Sequence, residues 1–151
     1  MVTLGLSVWA SSALQIHTLV SLGLATAVCG AAVGLGDYSA RRIGAAFWLG
    51  WAGSLLAYGN DAYNIDLAIL AIDVATLVYF VFVSIRGRRI WTLIASAFQA
   101  IMVASHVAAM IDLRVTLGTF YMSMAVWSYG VLACIAFGTW AGRRAAAEPE
   151  S

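Results

Sequence analysis

Long uncharged stretches alternate with short charged groups along the whole chain. Four stretches carry no Asp, Glu, Lys or Arg, and they cover residues 1–36, 43–60, 90–111 and 115–142. A transmembrane helix needs about 20 predominantly apolar residues. Together with the apolar segment that contains Asp66 and Asp73, this pattern predicts five transmembrane helices, at about 13–35, 42–58, 64–85, 90–111 and 116–141.

The arginines predict how these helices are oriented. Seven of the eight basic residues fall into three groups, Arg41 with Arg42, Arg86 to Arg89, and Arg143 with Arg144. Cytoplasmic loops of membrane proteins carry an excess of Lys and Arg, so all three groups are expected on the cytoplasmic side. Two crossings then separate successive groups, which predicts an outside N-terminus and a cytoplasmic C-terminus. The second segment, 42–58, is short enough to be a re-entrant or interfacial helix instead, but the charge pattern favours a full crossing.

Composition agrees with a membrane protein. The chain is 63% hydrophobic and 10% charged, with a mean hydropathy of +0.91, whereas about 25% of residues are charged in a soluble domain. We therefore expect an all-α integral membrane protein, a compact five-helix bundle over residues 1–145 with a flexible polar tail at 146–151. Residues 1–11 lack the basic segment of a signal peptide, so they are expected to lead into the first helix at the membrane interface.

Two acidic residues stand inside the third predicted helix. Asp73 falls near the middle of the span, where an ionised side chain costs roughly 2.5–3.5 kcal/mol on insertion scales. The fourth helix offers partners on one face, because its polar positions recur in steps of three and four residues. Its stripe consists of Thr92, Ser96, Gln99, Val103, His106 and Met110.

The short link RGRR makes the third and fourth helices an antiparallel hairpin. Taking Arg86 opposite Arg89, residues at equal depth have numbers that add up to about 175. Asp73 then lies between Gln99 and His106, and Asp66 lies slightly further out than His106. The sequence predicts a cluster of carboxylate, amide and imidazole groups within this hairpin.

One hypothesis for this cluster is a pathway for protons or cations. Asp and His side chains inside membrane helices commonly mark such relays. Asp66, Asp73, His106 and Gln99 would form the relay, and a hydrated outer mouth would consist of Asn60, Asp61 and Asn64. The competing interpretation is structural: the same groups hydrogen-bond to one another and hold the hairpin in register.

A bis-histidine site for haem b is a third hypothesis. His17 and His106 fall at similar depths in the outer half of two predicted helices, as axial ligands would. Neither histidine belongs to a recognisable haem motif, so no cofactor is required by the sequence and no metal site is expected. The motifs of soluble hydrolases, zinc proteases and phosphate-binding loops are absent, and we do not expect an enzyme.

The leading expectation for function is a non-enzymatic helical subunit or packing element of a membrane complex. Its expected partners are the lipid bilayer and other membrane subunits or further copies of the chain. A net charge of +1 without a basic domain argues against nucleic acid. Arg without Lys, beside abundant Ala and Gly, suggests a GC-rich bacterial genome and hence the bacterial inner membrane.

Overall fold

Five α-helices and no strands make up the part of the chain that the computed structural model describes, residues 2–59, 65–111 and 117–147. Side chains are described for residues 19–57, 67–111, 120 and 122–147. The helices are α1 (Val2–Leu35), α2 (Tyr38–Gly59), α3 (Ile65–Gly87), α4 (Ile90–Ile111) and α5 (Leu117–Ala147). The expected all-helical fold is confirmed.

Three segments of the described chain are long and apolar enough to cross a membrane. They are Leu67–Gly87, Ile90–Ile111 and Met122–Ala147. In α1 the described apolar segment, Leu19–Leu35, is shorter. Length and composition therefore support spans in α3, α4 and α5.

The helix ends differ from expectation at both ends of the chain. α1 begins at Val2, upstream of the span expected from about residue 13, and residues 2–12 contain neither Pro nor a charged residue. α5 continues to Ala147 and not to residue 141, because Arg and Ala favour helix. The start of the expected tail is therefore helical, and residues 148–151 lie outside the described residues.

The helices pack in the order of the sequence, and α5 returns to contact both α1 and α2. Fully buried side chains from all five helices meet in the core, among them Cys29, Ile43, Phe80, Ala95 and Ile135. Many large apolar side chains point outwards instead, such as Leu56 and Ile90. An apolar outer surface of this kind is suited to contact with the hydrocarbon core of a bilayer.

Asp37 begins α2 and also joins it to the start of α4. Its Oδ1 accepts a hydrogen bond of 2.8 Å from the backbone N–H of Ala40, which is the usual arrangement of an N-cap. Its Oδ2 lies 3.4 Å from Arg89 Nη2. Two helix ends are therefore held together by one carboxylate.

The connection between α3 and α4 is the two-residue link Arg88–Arg89. Arg88 has a φ of 48°, and its N–H donates to Ser84 O at 3.0 Å. A left-handed residue just after a helix is a common way to end it, although Gly is the usual choice. The tight antiparallel hairpin predicted for these helices is confirmed.

Trp91 occupies a different environment from the interfacial one typical of Trp near a helix end. Only 7% of its surface is exposed, and its indole lies directly over Gly138 of α5. A Cβ at position 138 would overlap the ring. The missing side chain of Gly138 therefore admits the indole to the core.

Candidate functional site

A buried polar cluster lies between α3 and α4. Gln99 Nε2 donates to Asp73 Oδ1 at 3.1 Å and is 3.3 Å from the backbone oxygen of Asp73. On the other side of the carboxylate, His106 Nε2 lies 3.0 Å from Asp73 Oδ2. The hairpin register therefore brings these three side chains together as the sequence predicts.

The Asp73–His106 contact is short but poorly aligned. Although Nε2 and Oδ2 are 3.0 Å apart, the geometry does not meet that of a hydrogen bond, and Nε2 has no such partner among the described residues. The carboxylate and the imidazole are therefore in close contact across the α3–α4 interface without an aligned hydrogen bond.

The amide nitrogen of Gln99 donates a hydrogen bond, whereas its amide oxygen has no hydrogen-bond partner among the described residues. The side chain is 1% exposed, and its Nε2 is committed to Asp73. Its Oε1 is buried without a hydrogen-bond partner among the described residues. A buried amide oxygen of this kind costs free energy unless a donor or a cation approaches it.

A cavity of about 170 Å³ adjoins the cluster. It is reached by side chains of α2, α3, α4 and α5, and its polar lining consists of Ser54, Asp73, Thr76, Gln99, His106 and Ser128. The rest of the wall is apolar and includes Trp51 and Phe120. The Phe120 ring meets the His106 ring edge to face, with centroids 5.0 Å apart. A polar patch in an otherwise apolar cavity is typical of a site for a small polar ligand or ion.

A separate contact nearer the arginine end of the hairpin also joins α3 to α4. Ser84 Oγ and Ser96 Oγ are 3.0 Å apart and buried. Each hydroxyl also lies within 3 Å of the carbonyl four residues earlier in its own helix. This serine pair and the short link are connections between α3 and α4 that do not involve Asp73.

Several expected site residues lie outside the described side chains. The backbones of Asp66 and His17 belong to α3 and α1, but their side chains are not described. The expected outer mouth, Asn60, Asp61 and Asn64, falls wholly outside the described residues.

On α4, the predicted polar stripe is buried along most of its length. Thr92, Ser96, Gln99 and His106 are buried, whereas Met110 at the end of the stripe is 50% exposed. The α4 face that meets α3 and α5 therefore ends near His106.

Sequence reasoning missed the groups that α2 and α5 contribute. Ser54 and Ser128 line the cavity opposite Asp73, and neither stands in a polar stripe that would have marked it. Sequence reasoning also missed Asp37. The sequence did carry a signal for this residue, because an Asp after Gly at the end of an apolar run is a common N-cap.

No family model, no curated protein and no solved structure matches this chain. Within the described side chains, no three residues of the His, Cys, Asp and Glu types are grouped as a metal site would require. The function is therefore inferred from the geometry around Asp73.

Proposed function

We propose that the protein crosses the bacterial inner membrane five times, with its N-terminus outside and its C-terminus in the cytoplasm. Arg89 contacts Asp37, and Asp37 also lies beside Gly142. These contacts gather all three arginine groups at one end of the bundle. A single basic end supports this orientation, because positive residues concentrate on the cytoplasmic side.

Within that membrane we propose that the protein carries or conducts a proton or a small monovalent cation at Asp73. The observation that carries this proposal is the buried carboxylate of Asp73 between Gln99 and His106, at the wall of a cavity. Ionisable residues within membrane helices most often mark pathways for ions or protons.

The charge balance of the cluster supports the proposal. An ionised Asp73 beside a neutral His106 leaves one net negative charge at a largely buried position. One added positive charge, a proton on the pair or a cation near the carboxylate, makes the cluster neutral. A cation in the cavity would also find an acceptor in the unpaired Gln99 Oε1. Neutral clusters are far less costly in a low-dielectric interior than charged ones.

A purely structural role explains the cluster less well. The two helices of the hairpin are also joined by the Ser84–Ser96 pair and by the two-residue link. Hydrogen bonds between membrane helices contribute only about 0.6–2 kcal/mol each, and a carboxylate is costly in such a position. The hydroxyls of Ser84 and Ser96 connect the same two helices without the cost of a buried carboxylate.

Reconstitution tests the proposed transport. Liposomes that contain the purified protein are given a pH gradient, and in parallel experiments a Na⁺ or K⁺ gradient, with a dye for each ion inside. We expect one of these gradients to dissipate faster than in protein-free liposomes. If the H⁺, Na⁺ and K⁺ gradients all dissipate at the same rates as in protein-free liposomes, the proposal is contradicted.

A second candidate function is a subunit or packing element of a membrane complex. One face of α1 favours it, since Gly23, Gly30 and Gly34 each have open space where a side chain would stand. Small residues at this spacing allow a second membrane helix to approach closely. Purification in mild detergent tests it: a stable larger assembly that Gly30→Leu disrupts is expected, and a monodisperse single chain would contradict it.

The haem b hypothesis requires His106 as an axial ligand, and Asp73 lies beside that side chain. The carboxylate lies in front of His106 Nε2, one of the two nitrogens through which His binds metals. An optical spectrum of the protein purified after expression with ample haem decides the matter, because the Soret band is present only if haem is bound.

A further inference from the structure

A second and larger groove lies between α1 and α5. Its volume is about 540 Å³. Ala27, Val28, Ala31 and Leu35 of α1 form one wall, and Ala136 of α5 belongs to the other. Because most of these side chains are methyl groups, the two helices leave apolar space between them that no side chain of the described residues fills.

One end of this groove is cationic. Arg143 and Arg144 line it, and both are exposed. The guanidinium of Arg144 stacks over the Trp140 ring at 4.5 Å, which holds it beside the groove. The described carboxylate nearest to this end is Asp37, which is engaged by Arg89 and by the start of α2. The charges of Arg143 and Arg144 are therefore not matched by any acid among the described residues.

We propose that this groove binds one anionic phospholipid, with its phosphate at Arg143 and Arg144 and an acyl chain along Ala27 and Ala31. The argument is charge complementarity joined to an apolar channel: a phosphate satisfies the two guanidiniums, and a long apolar tail suits the alanine-lined walls. Basic pockets between membrane helices on the cytoplasmic side bind anionic headgroups in this way. The proposal rests on the proposed membrane location and not on transport at Asp73.

The exposed Trp140 supports a position at the membrane boundary. Its side chain is 52% exposed, and it lies one helical turn before the arginine that it contacts. Trp side chains favour the level of the lipid headgroups. Arg143 and Arg144 follow three and four residues after Trp140, so a Trp140 at headgroup level would place their guanidiniums near the lipid phosphates.

Lipid retention measures this binding directly. The full chain is purified in mild detergent and titrated with phosphatidylglycerol, phosphatidylcholine or inorganic phosphate, and native mass spectrometry counts the bound molecules. We expect one phosphatidylglycerol to be retained in preference to phosphatidylcholine, and inorganic phosphate not to compete. The R143Q/R144Q variant should bind phosphatidylglycerol about tenfold or more weakly, since each basic residue near an anionic lipid contributes substantially.

Matched variants separate a defined site from a general surface charge. R42Q/R86Q removes two other arginines that also stack on aromatic rings but do not line the groove. It should weaken binding less than about threefold, because it changes only the general surface charge of the protein. Equal losses in the two double variants would overturn the proposal. Retained folding is checked in each variant by its thermal transition.

A second pair of variants tests the apolar channel without changing charge. Ala31→Leu occupies the apolar channel, whereas Ala104→Leu adds the same side chain at an exposed position of α4. We expect only Ala31→Leu to lose the bound lipid. Unchanged lipid binding in Ala31→Leu would overturn the proposal. A protein dimer that dissociates in Ala31→Leu, and whose stability does not depend on lipid, would also overturn it. Neither result bears on flux through Asp73.

Discussion

Asp73 Oδ2 and His106 Nε2 lie 3.0 Å apart across the α3–α4 interface, with 12% and 9% of their side chains exposed. Their helices are also joined by contacts that involve neither residue, notably the Ser84–Ser96 pair. The stability of the hairpin and the chemistry of the cluster can therefore be tested separately.

The serine pair should contribute measurably to stability. Ser84→Ala and Ser96→Ala each remove one partner of the 3.0 Å contact, and the double variant removes both. We expect a coupling free energy of about 0.6 kcal/mol, the average for hydrogen bonds between membrane helices. Unfolding of the purified protein in mixed micelles measures it, and strictly additive effects of the two substitutions would show that the pair does not hold the hairpin.

Asp37 should stabilise the protein mainly as the N-cap of α2. Asp37→Ala loses the bond to Ala40 N–H and is expected to lower the free energy of unfolding by about 1 kcal/mol. Asp37→Asn keeps an oxygen for the cap and loses only the half-exposed pair with Arg89, which contributes about 0–1 kcal/mol. The Asn variant should therefore be the more stable of the two in the same unfolding assay, and equal losses would mean that the cap contributes nothing.

Gly138 should be intolerant of a side chain. A Cβ at this position would lie on the Trp91 indole, so Gly138→Ala should destabilise the protein by about 1–3 kcal/mol, as overpacking does. Gly30→Ala is the control, because nothing lies within 4 Å of its Cβ position. That change should be neutral or stabilising by up to about 1 kcal/mol, since Ala favours helix over Gly. Similar melting temperatures for the two variants would contradict the packing of Trp91 against Gly138.

Arg88 adopts a backbone conformation that Gly would adopt more easily. With its φ of 48°, the left-handed conformation costs a residue with a Cβ about 1–2 kcal/mol, which the greater flexibility of unfolded Gly partly offsets. Arg88→Gly should therefore be more stable than Arg88→Ala by about 0.5 kcal/mol. Both variants remove the same charge, so their difference in thermal unfolding isolates the backbone. A more stable Ala variant would contradict the left-handed link.

The hairpin could be predicted from the sequence because its constraints are local. Residues 90–111 carry no charge and are bounded by Arg89 and Asp112, and α4 has those limits. A two-residue link leaves little freedom of register, so Gln99 and His106 fall on either side of Asp73. Nothing distant in the sequence was needed to place these three side chains.

The rest of the site depends on contacts between distant segments. Ser54 and Ser128 reach the cavity because of how α2 and α5 are rotated about their axes, and no local pattern sets that rotation. Trp91 stands near the start of α4, but Gly138, far away in sequence, makes room for its indole in the core. The groove at Arg143 likewise arises from the way α1 and α5 pack.

The most direct test of the central claim is ion flux through Asp73→Asn in proteoliposomes. Asn keeps the shape of Asp and an oxygen that can accept from Gln99, so the fold should persist, as its thermal transition would show. Ser84→Ala serves as the control, because it weakens the same hairpin away from the cavity. We predict that Asp73→Asn reduces dissipation of the gradient to the rate of protein-free liposomes while Ser84→Ala retains the wild-type rate. Wild-type flux in Asp73→Asn would contradict a transport role for this carboxylate.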